Sequence, residues 1–350
     1  MSRDRKSCSS ARQKPSWQAV SCLMLSMLSG LVGCRSERSD VDSTANTPAT
    51  KGKDKVVLVL NWYPEAEHGG FYAALVHGIF DKYQLAVEIR PGGKTTIVPQ
   101  ELTLGRIEFG IGNADDVLMA REQSAPLVAL MAPMQDGPRC IMVREDSGIA
   151  NFDQLKDITL LIDPSRPYVA YMKGRGLLQE NVKTAPYFGT VAQLVSDQRT
   201  AQQAYSFSEP LLAQQQGVKV RNLMMSEIGY NPYASVLIST EDFIARHPDL
   251  TRRMVAACVE GWQKYLNQPE ETNRYILKQN PEGMTDEALA FGVENLRPLC
   301  LPENFSAGRL GTMSRERWVT LTEQLQRLKL IGDKVKADEA FTLEFLPSAE

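Results

Sequence analysis

Apolar and amphipathic segments alternate along the first half of the chain. Residues 56–60 form a continuous apolar run, which is typical of a strand buried on both faces of a parallel sheet. Residues 69–80 then repeat their apolar positions at helical spacing. The alternation continues with strands predicted over 85–90, 107–112 and 127–131 and helices over 96–104 and 114–123. This order predicts an α/β fold, with βαβ units around a mostly parallel sheet.

A second series of the same kind begins after Pro133. Strands are predicted over 141–143, 159–162 and 218–223, and helices over 152–156, 168–178, 193–197 and 209–215. A further strand over 234–238 is expected to rejoin the first series. The rest of the chain is mostly helical, with apolar stripes over 254–266 and 318–328 and with Ser314 as the expected N-cap of the last helix.

The first 33 residues have the composition of an export signal. Five Lys and Arg residues precede residues 19–32, an apolar stretch too short to span a bilayer. The stretch ends in Leu-Val-Gly-Cys34, which resembles the bacterial lipobox, so Cys34 is predicted to be lipidated and to become the mature N-terminus. Cys22 is a rival position without an apolar segment before it, and an ordinary signal peptide is the alternative. Residues 34–54 are polar and are predicted to be a flexible tether.

Charge and cysteine content narrow the range of partners. Without residues 1–33 the chain keeps 34 Lys and Arg residues against 41 Asp and Glu residues, a formal net charge of −7. Nucleic acid is therefore not expected as a partner, because it requires a basic face. Cys140, Cys258 and Cys300 show no CxxC or Cys/His ligand spacing, so no metal site is predicted. Cys258 is expected to be a buried free thiol, and one disulfide is left open.

Catalytic signatures are missing from the sequence. It contains no G-x-S-x-G, H-E-x-x-H or G-x-G-x-x-G motif. Gly92-Gly93 lacks the earlier Gly of a phosphate loop and is interpreted as part of a tight turn. The segment from Gly110 to Gly112 is interpreted as a strand end that passes close to another group. Neither an enzyme nor a cofactor is predicted.

The loop after the first predicted strand, residues 60–74, concentrates aromatic and polar side chains. Ligands of open α/β sheets bind at the carboxyl ends of strands, and the residues after the third strand should reach the same edge. At least two aromatic residues of the loop are expected to form a stacking wall for a flat ligand, while Phe71 packs in the core. Gly69 and Gly70 are predicted to open a helix whose N-terminal amides can face a ligand. The candidates at this edge are Asn61, Trp62, Tyr63, Glu65, His68, Gly70, Tyr72, Asn113, Asp115 and Asp116.

Three segments of the chain resemble a known family. "LNWYPEAEHGGFYAALVHGIF" resembles the first βα unit of the thiamine-pyrimidine-binding lipoproteins, in the SsuA/Thi-type solute-binding family of ABC importers. The family pattern Trp-x-Pro-x-x-x-His-x-Gly-x-Tyr is matched by Trp62, Pro64, His68, Gly70 and Tyr72. "GRIEFGIGNADDVLMAR" resembles a second family segment, and "AYSFSEPLLAQQQG", in which Glu209 opens a helix, resembles a third. The likeness covers most of residues 55–266.

The resemblance implies a periplasmic-binding-protein type II fold, in which two α/β lobes close on a solute. Lobe 1 is predicted to comprise residues 55–138 and 232–350, and lobe 2 residues 139–231. The implied function is the capture of a small flat solute, such as a thiamine-precursor pyrimidine, for an ABC permease in the membrane. The protein is expected to be a monomer, lipid-anchored on the outer face of the cytoplasmic membrane or in the periplasm.

The resemblance also suggests roles for individual residues. Trp62 and Tyr72 are expected to stack on the solute, and Asn61 and Asn113 to fix its orientation. An aminopyrimidine-like edge is expected to pair with one carboxylate among Glu65, Asp115, Asp116 and Glu209.

One segment departs from the family pattern. The family usually has a Gly/Ser-rich turn after the first strand of lobe 2, where anionic head groups are held. This chain has "IDPSRPYVAYM" instead, with Ser165 as a donor and Tyr168 as an added ring. The departure favours a neutral or cationic heterocycle over a sulfonate or phosphate. The alternatives are a taurine/sulfonate or riboflavin binder of the same fold, a thiamine-pyrimidine-synthesis enzyme that uses a pyridoxal cofactor, and a sensor domain.

Overall fold

A computed structural model describes residues 52–179, 181–280 and 283–348. The predicted leader, the lipidation site Cys34 and most of the tether therefore lie outside the described residues. The first five-stranded sheet has the order β2-β1-β3-β10-β4 and contains β1 (Asp54–Val59), β2 (Leu85–Arg90), β3 (Phe109–Gly112), β4 (Leu127–Met131) and β10 (Val236–Thr240). The second has the order β7-β6-β8-β5-β9 and contains β5 (Arg139–Arg144), β6 (Thr159–Ile162), β7 (Lys183–Pro186), β8 (Thr200–Tyr205) and β9 (Val220–Met224).

Each sheet has four strands that point the same way and one strand that runs against them. In the first sheet β10 is antiparallel to both of its neighbours, β3 and β4. In the second sheet β5 is antiparallel to β8 and β9. The remaining pairs are parallel. The predicted α/β class with mostly parallel sheets is confirmed.

The chain crosses between the two sheets twice. It leaves the first sheet after Met131 and enters the second at Arg139, and it returns between Met224 and Val236. The prediction that the strand near residues 234–238 rejoins the first series is confirmed, because β10 pairs with β3 and β4. The predicted lobe boundaries fall within these two crossing segments and stay a prediction.

Helices flank both sheets. They are α1 (Gly69–Val76), α2 (Ile79–Lys82), α3 (Val98–Thr103), α4 (Ala114–Glu122), α5 (Pro167–Gly174), α6 (Ala192–Ser196), α7 (Glu209–Gln215), α8 (Glu241–Arg246), α9 (Pro248–Asn267), α10 (Glu270–Gln279), α11 (Asp286–Cys300) and α12 (Arg315–Arg327). In the part of the chain that the structure describes, no helix is both long enough and apolar enough for a membrane span.

Helices α1 and α9 pack closely against each other. Trp262 on α9 is fully buried, and its ring meets that of Phe71 edge to face at 5.6 Å. Gly70 permits this approach, since a Cβ there would lie 2.1 Å from Cγ of Trp262. The predicted core position of Phe71 and the buried stripe of α9 are both confirmed. Burying each large side chain contributes about 1.5–3 kcal/mol, so this contact fixes the loop that precedes α1.

Two further sequence predictions are settled by local geometry. Ser314 Oγ accepts a hydrogen bond from the backbone N–H of Arg317 at 3.2 Å, which confirms it as the N-cap of α12. Cys140, Cys258 and Cys300 are all free and buried, so the disulfide that the sequence left open does not form among them. Burial raises the pKa of all three thiols above the usual range.

Candidate functional site

A cavity of about 590 Å³ lies between the two sheets. The first sheet contributes the loops that follow β1, β2 and β3, and the second contributes those that follow β6, β7 and β8. The cavity is therefore at the carboxyl ends of parallel strands, where open α/β sheets bind ligands. Its polar and aromatic lining comprises Asn61, Trp62, Glu65, Glu67, Lys94, Thr96, Asp116, Arg139, Asp163, Arg166, Tyr187, Phe188, Gln203, Tyr205, Ser208 and Glu209.

Aromatic rings line the cavity from both sides. Trp62 comes from the loop after β1 and packs edge to face on Tyr63, with 5.3 Å between ring centroids. Tyr187 and Phe188 follow β7, and Tyr205 ends β8. Phe188 is 73% exposed, which leaves a large apolar ring uncovered at the cavity. A flat solute can gain both stacking and burial of apolar surface from such walls.

Five carboxyl groups belong to residues that line the cavity, and three of them, those of Glu65, Glu67 and Glu209, influence one another. Burial raises the pKa of Glu65 well above its ordinary value, and the neighbouring Glu67 and Glu209 raise it further. Burial also raises the pKa of Glu209, although hydrogen bonds from the Tyr205 N–H at 2.8 Å and the Tyr187 hydroxyl at 2.9 Å oppose the shift. The cluster therefore favours a ligand that brings hydrogen-bond donors or positive charge.

Glu67 is the least satisfied of the three carboxyl groups. Its side chain is 1% exposed, and neither carboxylate oxygen has a hydrogen-bond partner. His68 Nε2 lies 3.0 Å from Glu67 Oε1, but it lies equally close, at 3.0 Å, to Asn61 Oδ1 in hydrogen-bond geometry. A single proton on Nε2 cannot serve both oxygens fully, and Glu67 Oε2 has no donor at all.

Two arginines line the cavity but are already engaged by protein groups. The guanidinium of Arg139 lies between the rings of Tyr168 and Tyr205, at 4.9 and 4.8 Å from their centroids, and donates to the Tyr205 hydroxyl. Arg166, just before α5, donates to Asp116 Oδ1 on α4 at 3.0 Å. The second contact joins the two sides of the cavity. Both arginines therefore already have protein partners, and neither is held ready for an anionic head group of a solute.

Several predicted site residues line the cavity and others do not. Asn61, Trp62, Glu65, Asp116 and Glu209 do. Ser165 is exposed, and its N–H and hydroxyl both bond Asp163 Oδ1, so it closes its own turn. Tyr63 supports Trp62 through the ring contact described above.

Three of the predicted site residues at the start of α1 need correction. Tyr72 does not stack on a solute, because it is 1% exposed and packs against Tyr275 of α10 at 5.6 Å. Gly70 serves the approach to Trp262 and does not present its amide to the cavity. His68 is fully buried, does not line the cavity, and contacts Asn61 and Glu67.

The residues after β3 also have structural roles. Asn113 Oδ1 accepts from the Ser235 N–H at 3.3 Å, which ties the start of α4 to the return strand. Asp115 accepts from the Tyr230 hydroxyl at 2.9 Å in a buried contact, so it does not orient a solute in the cavity. Burial raises the pKa of Asp115, and the adjacent Asp116 raises it further.

Tyr168 is likewise placed behind the cavity wall. Its ring is 1% exposed and supports Arg139, and its hydroxyl donates to Gln203 Oε1 at 2.7 Å. Gln203 also accepts from the Asp163 N–H at 2.8 Å, so its position on β8 is fixed from two sides. Tyr168 thus orders the residues that line the cavity without lining it.

Sequence reasoning missed several lining residues of the second sheet. They are Arg139, Arg166, Tyr187, Phe188, Gln203, Tyr205 and Ser208, together with Glu67 of the first sheet. A signal was available for four of them, which all stand in segments quoted above: Tyr205 and Ser208 in the segment that opens α7, Arg166 in the segment that departs from the family pattern, and Glu67 in the loop after β1. No group of three His, Cys, Asp or Glu side chains suited to a metal ion occurs within residues 52–179, 181–280 and 283–348.

The fold is that of an α/β protein with a cavity between two sheets, and a solved structure shares this architecture. The periplasmic aliphatic sulphonate binding protein SsuA of Escherichia coli superposes with a TM-score of 0.62 at 15% sequence identity, covering 82% of this chain and 92% of that chain. The expected periplasmic-binding-protein fold class is confirmed.

The chain belongs to the NMT1/THI5-like family, whose model matches residues 65–272. It is similar to the riboflavin-binding protein RibY of Chloroflexus aurantiacus, with 24% identity over 304 residues that cover 84% of this chain and 86% of the relative. It is also similar to the formylaminopyrimidine-binding protein of Halalkalibacterium halodurans, with 22% identity over 337 residues, 93% of this chain and 98% of the relative. The family resemblance inferred from the sequence is confirmed.

A third relative, which is named as an enzyme, also aligns with most of this chain. The 4-amino-5-hydroxymethyl-2-methylpyrimidine phosphate synthase of Legionella pneumophila is 19% identical over 302 residues, which cover 84% of this chain and 93% of the relative. Membership of the family is therefore compatible with solute binding and with enzymatic synthesis. The choice between these two functions rests on the chemistry of the cavity.

Proposed function

We propose that this protein is the extracytoplasmic solute-binding component of an ABC importer and that it closes two lobes on a small flat solute. The main support for this proposal is the cavity. It lies between the sheets, has aromatic rings on both sides and contains three clustered carboxyl groups. Its volume of about 590 Å³ is within the usual range for small-molecule sites, roughly 300–1,000 Å³.

The contacts across the cavity support closure as the working motion. The Asp116–Arg166 pair and a long contact of 3.5 Å between Ser208 Oγ and Glu65 Oε2 bridge the two sides. The Arg166 side chain is 36% exposed, and pairs of this kind contribute about 0–1 kcal/mol. Such contacts alone hold the cavity shut only weakly, so the solute supplies most of the free energy of closure.

The chemistry of the lining favours an aminopyrimidine-like solute over a sulfonate. Arg166 is paired with Asp116 and Arg139 is held between two tyrosine rings, while Glu65 accepts only a long contact of 3.5 Å from the Ser208 hydroxyl. A thiamine-precursor pyrimidine has a flat ring for Trp62 and an amino edge for the carboxylates. The names of the two binding relatives, which concern a pyrimidine and a flavin, agree with a flat solute.

A binding panel tests the proposal. Calorimetry and thermal shift would compare formylaminopyrimidine, 4-amino-5-hydroxymethyl-2-methylpyrimidine, thiamine, riboflavin, taurine and nitrate. A pyrimidine present at a hundred times its Kd should stabilise the fold by about 2.7 kcal/mol through mass action. Mass spectrometry of the recovered ligand is the control for synthesis or turnover. Tight binding of taurine alone, or steady conversion of any compound, would contradict the proposal.

The lipid anchor belongs to the same proposal. Cys34 and the polar tether would hold the protein at the outer face of the cytoplasmic membrane or in the periplasm, within reach of its permease. The support is the position of the Cys directly after a short apolar stretch and before a polar segment.

A further inference from the structure

We propose that Asp116 excludes anionic solutes from this cavity, because its carboxylate already occupies the Arg166 guanidinium from the opposite side. The inference rests on the proposed function and deepens it. It names a specificity-determining residue of the receptor and the charge class of solute that this residue rejects.

The first observation is that both members of this pair can be reached from the cavity. Arg166 Nη1 donates to Asp116 Oδ1 at 3.0 Å, and both residues line the cavity. The Arg166 side chain is 36% exposed and that of Asp116 is 25% exposed. A solute in the cavity can therefore contact either charge.

The second observation is that Asp116 is oriented by its own side of the cavity. Its Oδ2 accepts a hydrogen bond from the backbone N–H of Asn113 at 3.1 Å, at the start of α4. The other oxygen meets Arg166, which directly precedes α5 on the opposite side. The carboxylate is thus pre-oriented toward the group that an anionic solute would need, which lowers the entropic cost of its contact with Arg166.

The third observation is that Arg166 depends on Asp116 for its charge partner. Among the described residues, the guanidinium makes no hydrogen bond or ion pair except the one with Asp116. Asp116 is also the largest cause of the raised pKa of this guanidinium. The nearby carboxylates of Asp115 and Asp163 accept hydrogen bonds from hydroxyl groups instead. Loss of the Asp116 charge would therefore leave a guanidinium at the cavity without a close counter-ion.

This arrangement acts against anions and spares neutral solutes. An anionic group must either displace Asp116 from Arg166 or lie beside the intact pair. Both arrangements bring two negative charges together in a site that closure removes from water, which is unfavourable. A neutral solute leaves the pair intact. An interaction that penalises the wrong ligand is one of the two general ways to obtain specificity.

Three flat probes of similar shape and different charge test the inference without knowledge of the natural solute. Benzoate is an anion, benzamide is neutral, and benzamidine is a cation at neutral pH. Calorimetry on the purified protein should show that wild type binds benzamide more tightly than benzoate. Asp116→Asn should raise the ratio of benzoate affinity to benzamide affinity at least about tenfold, a difference of about 1.4 kcal/mol. Because the ratio compares two ligands of one variant, an altered tendency to close cancels.

A matched control removes the same charge from another pair of the same kind. Asp242 accepts from Arg246 on α8, and neither residue lines the cavity. Asp242→Asn should leave the benzoate-to-benzamide ratio as it is in wild type. A tenfold rise in this variant as well would overturn the inference, because net charge alone would then explain the result.

The reciprocal variant leaves the cap of α4 unchanged and so gives an independent readout. Arg166→Gln deprives Asp116 of its partner and should raise the ratio of benzamidine affinity to benzamide affinity at least about tenfold. The double variant Asp116→Asn/Arg166→Gln should return both ratios close to their wild-type values. A gain in benzoate binding that survives in the double variant would assign the anion to another cation, such as Arg139, and would overturn the inference.

The outcomes separate this inference from the proposed function. Equal affinity of wild type for benzoate and benzamide, or an unchanged ratio in Asp116→Asn, would overturn the inference and leave the receptor standing if a panel compound binds. Absence of benzoate binding to Asp116→Asn at millimolar concentration would do the same. If no compound of the panel binds wild-type protein, the receptor function fails together with the inference.

Discussion

Replacement of Trp62 by Ala tests whether this side chain forms a wall of the solute cavity or part of the hydrophobic core. Trp62 is partly exposed, lines the cavity and touches Tyr63 edge to face. Loss of one stacking contact costs on the order of 1–3 kcal/mol, so solute affinity should fall roughly ten- to hundredfold. The folded state should lose only the aromatic pair, about 0.5–1.5 kcal/mol.

Trp262 provides the matched control, since it is a tryptophan of the same chain with no exposed surface. Trp262→Ala should cost about 3–5 kcal/mol of unfolding free energy. Urea unfolding and calorimetry on both variants, with a ligand from the panel, give the two quantities needed. Trp62→Phe should keep much of the affinity if stacking dominates. The reasoning is refuted if Trp62→Ala unfolds as easily as Trp262→Ala but binds the solute normally.

Three further predictions concern packing, pH and the anchor. Gly70→Ala should destabilise the protein by about 1–3 kcal/mol in urea unfolding, because the new methyl group meets the Trp262 ring, and an unchanged midpoint would contradict this. Burial raises the pKa of Glu65 above 4.5, so the folded state binds its proton more tightly than the unfolded chain. The Tm of the empty protein should therefore fall as pH rises from about 4.5 through that raised pKa. Glu65→Gln should flatten the profile, and an equally steep profile would exclude this cause. Cys34→Ser should release the protein from membranes in fractionation, whereas unchanged membrane association would exclude Cys34 as the anchor.

Strands and helices with a clear apolar period could be predicted from the sequence. β2, β4 and β6 occur at the predicted residues, because each is a short run that buries its apolar side chains. The stripe of α9 and the cap of α12 were also predictable, since both are local features.

Strand β8 could not be predicted from hydrophobic patterning. It lies inside the second sheet, between β6 and β5, yet its sequence is TAQQAY. Gln202 is fully buried and Gln203 accepts two hydrogen bonds at the cavity. A strand that carries polar groups for a binding site lacks the apolar pattern by which buried strands are recognised.

The location of the candidate site in the fold was predictable from the sequence, but only some of its residues were. The rule that ligands bind at the carboxyl ends of strands located the loop after β1 and the start of α4. It could not show that α1 is buried on nearly all sides, which places Tyr72 in the core. Nor could it show the pairing of side chains from the two sheets, such as Asp116 with Arg166, because this depends on tertiary structure.

A crystal structure of the complex with the tightest binder of the panel tests the central claim most directly. The account predicts that the solute occupies the cavity between the two sheets, with its ring against Trp62 and a nitrogen within hydrogen-bond distance of the carboxyl group of Glu65, Asp116 or Glu209. The account is contradicted if the solute binds instead on the outer side of the first sheet, in the surface pocket beside Lys55 and Glu88, and leaves the cavity between the sheets empty.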